Sequence, residues 1–211
     1  MIVMDPTVFA ATTFSFPASA FVPLAIGFYG LGVGYFVWGG QLLFNYPRDS
    51  PATDRSIGLW GIWMPGFMQF ITGVYLLIGL TWFNVFAPAA ARTPLYMAAL
   101  AFTAYGVHWF VLGTRRYIQS DVMPDAWMAI PFCLISVLGA IVFASAGDWP
   151  VLILFILLSL IYLSEVCVRF GVTVPLGARL VALWQFINGI WLMYLTWAVA
   201  LDLATGAHWP F

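Results

Sequence analysis

The stretch LAFTAYGVHWFVLG, from Leu100 to Gly113, is a run of apolar side chains interrupted by one histidine, His108. Its apolar residues are continuous rather than alternating, which excludes the strand of a transmembrane β-barrel. A membrane-spanning helix needs roughly 20 mostly apolar residues. The stretch therefore predicts the central part of a transmembrane helix and raises the question of what a histidine does there.

The composition extends this prediction to the whole chain. Of the 211 residues, 64% are hydrophobic and 7% are charged, whereas soluble domains carry about 25% charged residues. The chain therefore belongs to the integral membrane proteins, and its length allows one helical bundle without a soluble catalytic domain. The seven basic residues are all arginines and are too scattered for a nucleic-acid surface, so no nucleic-acid partner is expected.

Six segments are long and apolar enough to span a membrane. We predict an all-α polytopic membrane protein with six transmembrane helices in the range 22–201, preceded by an arm, 1–21, and followed by a tail, 202–211. The breaks between the helices carry most of the charges, prolines and glycines. The predicted spans are 22–45, 58–83, 95–114, 125–146, 149–168 and 178–201, and the very short break between the fourth and the fifth makes these two antiparallel neighbours.

The arginines predict the orientation. Six of them lie in the loops after the first, third and fifth spans, and Arg92 alone lies on the other side. Positive charge marks the cytoplasmic side of a membrane protein. We therefore expect a multi-pass protein of the inner cell membrane with both termini outside. The six arginines are Arg48, Arg55, Arg115, Arg116, Arg169 and Arg179.

Two segments carry packing signals. The first span holds six glycines, including a GxxxG pair at Gly30 and Gly34, and small residues let helix backbones approach closely in a membrane. This span should therefore pack on other helices over much of its surface. In the second span, Pro65 and Gly66 predict a local helix break beside Gln69, which must face protein or water.

Polar groups inside the spans are costly and mark candidate sites. Glu165 precedes Arg169 by four residues, which suits a structural ion pair; alternatively its carboxylate lies at the inner mouth of a path. Gln185 and Asn188 are three residues apart and share a helix face. They either form hydrogen bonds between helices or line a path for a small, uncharged polar solute.

His108 is the single histidine within the spans. It is expected either to be neutral and hydrogen-bonded to a neighbouring helix, or to have a proton-linked role, because imidazole titrates near neutral pH. A second histidine for a haem and further ligands for a metal are lacking, so no cofactor or metal is expected. No pair of nucleophile and base is visible either, so we do not expect an enzyme.

Two families resemble this chain. Span three resembles the FAFTYLW helix of the AmiS/UreI family of urea and short-amide channels, and the AFTSYGxFW helix of the related acetate transporter family. The last span is similar to that of the urea channels, with Asn188-Gly189-Ile190 where they carry Glu-Gly-Ile, and Glu165 matches a glutamate in their preceding helix. The residues of span three that match are Ala101, Phe102, Thr103, Tyr105, Gly106 and Trp109.

The resemblance implies a pore within each protomer, a hexamer, and a function. We predict a channel that passes urea or a short amide through a narrow pore lined by aromatic and amide side chains. The alternatives are uptake of acetate or another short monocarboxylate, with or without coupling to protons, and a membrane assembly subunit that transports nothing. The expected partners are a small solute, the lipid bilayer and further copies of the chain. The predicted pathway residues are Gln69, Thr103, Tyr105, His108, Trp109, Glu165, Gln185, Asn188 and Trp191.

Overall fold

The computed structural model describes residues 24–86, 92–172 and 174–205, and all regular secondary structure in these ranges is helical. The predicted arm, 1–21, and residues 206–211 of the predicted tail lie outside the described residues. The helices are α1 (Leu24–Phe44), α2 (Pro51–Phe83), α3 (Arg92–Ile118), α4 (Asp125–Ala146), α5 (Trp149–Arg169) and α6 (Val174–Thr205).

Within the described ranges, five helices, α2 to α6, are long and apolar enough to cross a membrane, and the chain is a multi-pass membrane protein. The helix α1 has 21 residues and no charged side chain, so its length suffices. Its glycines, its tyrosines and Gln41 lower its hydropathy, and it is not among the five. The prediction of six spans is thus confirmed for five of them.

Two helices begin four or more residues earlier than predicted. The helix α2 begins at Pro51 instead of residue 58, because the Ser50 side chain caps it by accepting a hydrogen bond from the Thr53 backbone N–H, and proline suits a first helical position. The helix α6 begins at Val174 instead of residue 178. Its Pro175 also lies in the first turn, where the missing N–H has no intrahelical partner to lose.

The predicted break in α2 takes the form of a π-helical turn, Ile62–Met68, inside a continuous helix. Pro65 and Gly66 in this turn are both buried. A Cβ atom placed at Gly34 of α1 would lie 2.5 Å from the Pro65 ring. The irregular backbone therefore faces protein, as the sequence predicted, and the turn brings Gln69 to the buried side of the helix.

The glycines of α1 contact three different helices. Added Cβ atoms would meet Met64 of α2 at Gly30, the Phe102 ring of α3 at Gly27 and the backbone of Phe186 in α6 at Gly39. The helix α1 also packs extensively against α6. The prediction that this helix packs over much of its surface is confirmed.

The six helices form a ring in the order α3, α2, α1, α6, α5, α4, which closes weakly between α4 and α3. The helices α4 and α5 are antiparallel neighbours, as predicted, joined at Gly147 with a positive φ of 75°. The loops after α1, α3 and α5 share one end of the bundle, as predicted, because ion pairs join residues at that end. We call this the arginine end, and the other the opposite end.

Candidate functional site

A cavity of about 550 Å³ opens at the opposite end and lies inside the ring of helices. Its walls are mostly aliphatic and aromatic side chains from α1, α3, α4 and α5. The polar side chains that line it are few: Gln69 and Tyr105 lie deep in it, towards the middle of the bundle, and Asp148 lies near its mouth. We call it the main cavity. It can take the apolar part of a small solute and offers an amide and a phenol to its polar part.

Asp148 connects α4 to α5. Its carboxylate accepts a hydrogen bond of 3.0 Å from the Val151 backbone N–H and so caps α5. Burial raises the pKa of this carboxyl, and the bond from Val151 opposes that shift. A negative charge at the mouth of the main cavity is therefore less favourable than on an exposed aspartate.

Four side chains with unpartnered polar atoms flank residues 30–39 of α1. We call Gln69, Trp109, Gln185 and Asn188 the polar seam. All four are buried, and Gln69 Oε1, Trp109 Nε1, Gln185 Oε1 and both amide atoms of Asn188 have no hydrogen-bond partner in the part of the chain that the structure describes.

The seam lies beside the middle of α1. Gly189, the neighbour of Asn188, packs on the backbone of Phe36, and the Trp109 ring contacts the rings of Tyr35 and Trp38 at 5.4 and 5.1 Å between centroids. A buried polar group without a partner costs about 1–3 kcal/mol. A polar solute or water can supply partners for these atoms, which makes the seam a candidate binding path.

An aromatic cluster separates the main cavity from a second space. The Tyr105 hydroxyl and Ser136 Oγ are 2.7 Å apart, and the Tyr105 ring stacks on Tyr162 at 5.9 Å. The His108 ring stacks on Phe132 at 4.4 Å. Within the described residues no hydrogen bond to the His108 ring is found, so the expected bond to a neighbouring helix is replaced by contacts with aromatic rings.

The second space is a groove of about 630 Å³ between α2, α3 and α4, on the outer side of the ring. Thr103, His108 and Asp125 are the polar residues among those lining it. Thr103 does not offer its hydroxyl to this groove, because Oγ1 donates to the Ala99 carbonyl, 2.8 Å away in the same helix. Thr103 and His108 therefore lie apart from the main cavity.

The arginine end carries two groups of ion pairs. In the first, Asp125 lies between Arg115 and Arg169, and Arg169 also pairs with Glu165 at 3.3 Å. The predicted Glu165–Arg169 pair is confirmed. Asp125 was not among the predicted site residues, although its position as the first residue of an apolar span, next to an arginine-rich loop, is a signal for such a pair.

The second group is centred on Arg116. Its guanidinium lies 2.9 Å from Asp54 and 2.7 Å from Gln41 Oε1, and it stacks on the Trp38 ring at 4.6 Å. The Gln41 amide in turn donates to Asp49. The ends of α1, α2 and α3 are thus tied together by the second of two adjacent arginines, while the first, Arg115, ties α3 to α4.

The structure separates the predicted pathway residues. Gln69 and Tyr105 line the main cavity, and Gln185 and Asn188 lie beside α1 in neither cavity. Trp191 is at the opposite end, where its Nε1 donates to the Pro150 carbonyl at 2.9 Å. Trp109 belongs to the polar seam. The remaining predicted residues, Thr103, His108 and Glu165, belong to the groove, the aromatic cluster or the ion pairs described above.

Comparison with known proteins gives one informative match. No family model matches the chain, and no curated protein matches it. The solved structure of the bacterial acetate channel SatP has the same fold, with a TM-score of 0.65 at 17% sequence identity over 87% of this chain and 94% of that one. The resemblance to the acetate transporter family thus has a structural counterpart, and the resemblance to the AmiS/UreI family has none among these comparisons.

Proposed function

We propose that this protein is a membrane channel or transporter for acetate and related short monocarboxylates. The observation that carries the proposal is its fold, which it shares with a bacterial acetate channel over most of both chains. The function that we predicted first, a urea or amide channel, takes second place, because no match of this kind supports it.

The main cavity suits the uncharged form of a short acid. Its walls are apolar, and the polar groups deep within it, Gln69 and Tyr105, carry no charge. A protonated carboxyl group has one O–H donor and an acceptor oxygen, and an amide side chain can complement both. An ionised carboxylate would have to lose its water among apolar walls, which is costly. We therefore expect the neutral acid to be the species that enters.

The polar seam is the proposed continuation of the path. Gln69 belongs both to the main cavity and to the seam, so a solute at the base of the cavity meets the first of the unpartnered amides. Asn188 and Gln185 follow towards the arginine end. Their amide groups and the indole N–H of Trp109 can exchange hydrogen bonds with a carboxyl group, and the aromatic cluster beside them keeps the path narrow.

We further propose that α1 also crosses the membrane, which brings the number of spans to six. The arginine end then faces the cytoplasm, and both termini of the chain lie outside. This follows from the positive-inside rule and from the distribution of arginines between the two ends. We also propose a hexamer, because the resemblance of this chain to the two families implies one.

The test is stopped-flow light scattering on proteoliposomes that contain the full chain, with acetate, acetamide and urea offered at an acidic and at a neutral pH. We expect acetate entry that increases as the pH falls, and no urea entry. Entry of urea or acetamide that is insensitive to pH would instead identify an amide channel. Failure of all three solutes to enter would favour the assembly subunit.

A further inference from the structure

Asp125 is a buried carboxylate held by two arginines from two other helices. Its Oδ2 lies 2.8 Å from Arg115 Nη2 and 3.8 Å from Arg169 Nη2. Only 4% of the residue is exposed. Since Arg169 also pairs with Glu165, two cations and two anions balance in this cluster, and Asp125 supplies the carboxylate that the two arginines share.

The chemistry of this carboxylate is that of the proposed solute. Beyond its Cα atom, an aspartate side chain consists of a methylene and a carboxylate group, the same heavy atoms as acetate. Arginine presents several N–H donors in a fixed fork that matches a carboxylate. In this structure Asp125 Oδ2 pairs with both guanidinium groups by charge and makes no hydrogen bond to a described residue. Acetate matches this side chain in size and charge, so it can take the same place between the two arginines.

Two further observations indicate that the site can accept an outside ligand. Arg115 Nε and Arg169 Nε are buried and have no acceptor among the described residues, so each guanidinium has donor capacity that Asp125 does not use. Asp125 also lines the groove of 630 Å³ beside His108. The groove thus lies next to the ion pairs and offers space for the Asp125 side chain if it leaves the arginines.

We propose that Arg115 and Arg169 form a carboxylate-binding site at the arginine end, and that Asp125 occupies it as a built-in competitor that a permeating carboxylate displaces. The proposal rests on the proposed function, in that the solute is a carboxylate. It gives the ion cluster a role in release: a solute that crosses the bundle as the neutral acid loses its proton to water at this end and exchanges with Asp125 before it leaves.

Removal of the competitor tests the site directly. Asp125→Gly removes the methylene and carboxylate groups, so added acetate can replace every heavy atom that was lost. Asp125→Ala leaves the β-carbon, so the smaller formate should fit better than acetate. The measurement is the thermal unfolding midpoint of the purified full-length protein in detergent, with acetate, formate or chloride at the same ionic strength and pH.

We expect acetate to raise the midpoint of Asp125→Gly by several degrees relative to chloride, and formate to act more strongly than acetate on Asp125→Ala. The wild type and the double variant Arg115→Gln/Asp125→Gly should respond little. Equal responses of all variants to the three anions would overturn the proposal, because the anions would then act elsewhere on the protein.

A second variant covers the case in which Asp125→Gly does not fold. Asp125→Asn keeps the volume of the side chain and removes its charge, so acetate should compete for the arginines more easily. In proteoliposomes its acetate flux should reach half-saturation at an acetate concentration several-fold lower than in the wild type, and an unchanged value would overturn the proposal. If the variants show anion-specific stabilisation but the wild type shows no acetate flux, only the proposed function is refuted. If the wild type shows acetate flux but the variants show no anion-specific stabilisation, only the carboxylate site is refuted.

Discussion

The helix α1 meets α6 through glycines, whereas α3 meets α4 through a few polar and aromatic links. At Gly39 the backbones are so close that an added Cβ would lie 2.7 Å from the Phe186 nitrogen. Between α3 and α4 lies a groove of 630 Å³, bridged by the Tyr105–Ser136 hydrogen bond and the Arg115–Asp125 pair. The first interface has no room to move, and the second has room for a helix to shift.

This difference assigns separate tasks to the two interfaces. Close backbone packing in a membrane depends on van der Waals contact, and it holds the polar seam at a fixed distance from α1. Motion that opens a path is expected where packing is loose and where the links can be exchanged. The loose interface contains Asp125, whose link to the arginines we propose to be exchangeable.

The largest effect should follow a change in the tight interface. Gly39→Ala places a methyl group against backbone atoms that cannot move aside, and such overpacking costs about 1–3 kcal/mol. The adjacent Gly40→Ala is the matched control, because its Cβ would lie 3.7 Å from the Phe186 ring, an ordinary contact. Thermal unfolding in detergent should show a clearly lower midpoint for Gly39→Ala alone. Similar midpoints for both variants would mean that this interface is less tight than described.

A smaller loss should follow removal of a link in the loose interface. Ser136→Ala leaves the buried Tyr105 hydroxyl without its partner, which costs about 1–2 kcal/mol of stability. Ser145→Ala on the same helix is the control, since that hydroxyl is bonded to the Ile141 carbonyl of its own helix. The thermal midpoint should fall for the first variant and stay nearly constant for the second. Equal midpoints would show that the link does not hold α4 to α3.

The smallest effect concerns pH at the mouth of the main cavity. Because burial raises the pKa of Asp148 in the folded protein, its contribution to stability is greatest at low pH and declines as the pH rises through that raised pKa. Asp148→Asn keeps the helix cap and removes this titration. The thermal unfolding midpoint of the wild type minus that of the variant should therefore decrease from acidic to neutral pH. A difference in midpoint that stays constant across that range would contradict the raised pKa of Asp148.

Much of the fold could be predicted from the sequence, because the signals are local. Runs of apolar residues mark the spans, the arginines mark one end, and the Pro65–Gly66 pair marks the irregular turn of α2. The predicted start of α2 is too late because the segment after Ser50–Pro51 is polar and has the composition of a loop, although serine followed by proline is itself a start signal for a helix.

The candidate site was predicted only in part, because contacts between helices are not encoded in one helix. The amides of Gln69 and Asn188 could be selected as buried polar groups, but their position beside α1 depends on glycine packing. Asp125 was overlooked, since its partners Arg115 and Arg169 come from other helices. The hydrogen bond that was one expectation for His108 is not found among the described residues: the ring stacks on Phe132, a contact that helix periodicity alone does not indicate.

The most direct test of the proposed path is the acetate flux of Asn188→Leu in proteoliposomes, compared with that of Thr196→Val. Leucine has the same branched arrangement of side-chain heavy atoms as asparagine, is larger, and needs no hydrogen-bond partner, so removal of the unpartnered buried amide should offset the added volume and keep the fold at least as stable. Thr196 lies on the same helix and bonds to its own backbone at Leu192. We predict that Asn188→Leu reduces the flux about tenfold or more while its unfolding midpoint stays equal or rises, and that Thr196→Val leaves the flux unchanged. Unchanged acetate flux in Asn188→Leu would contradict the account.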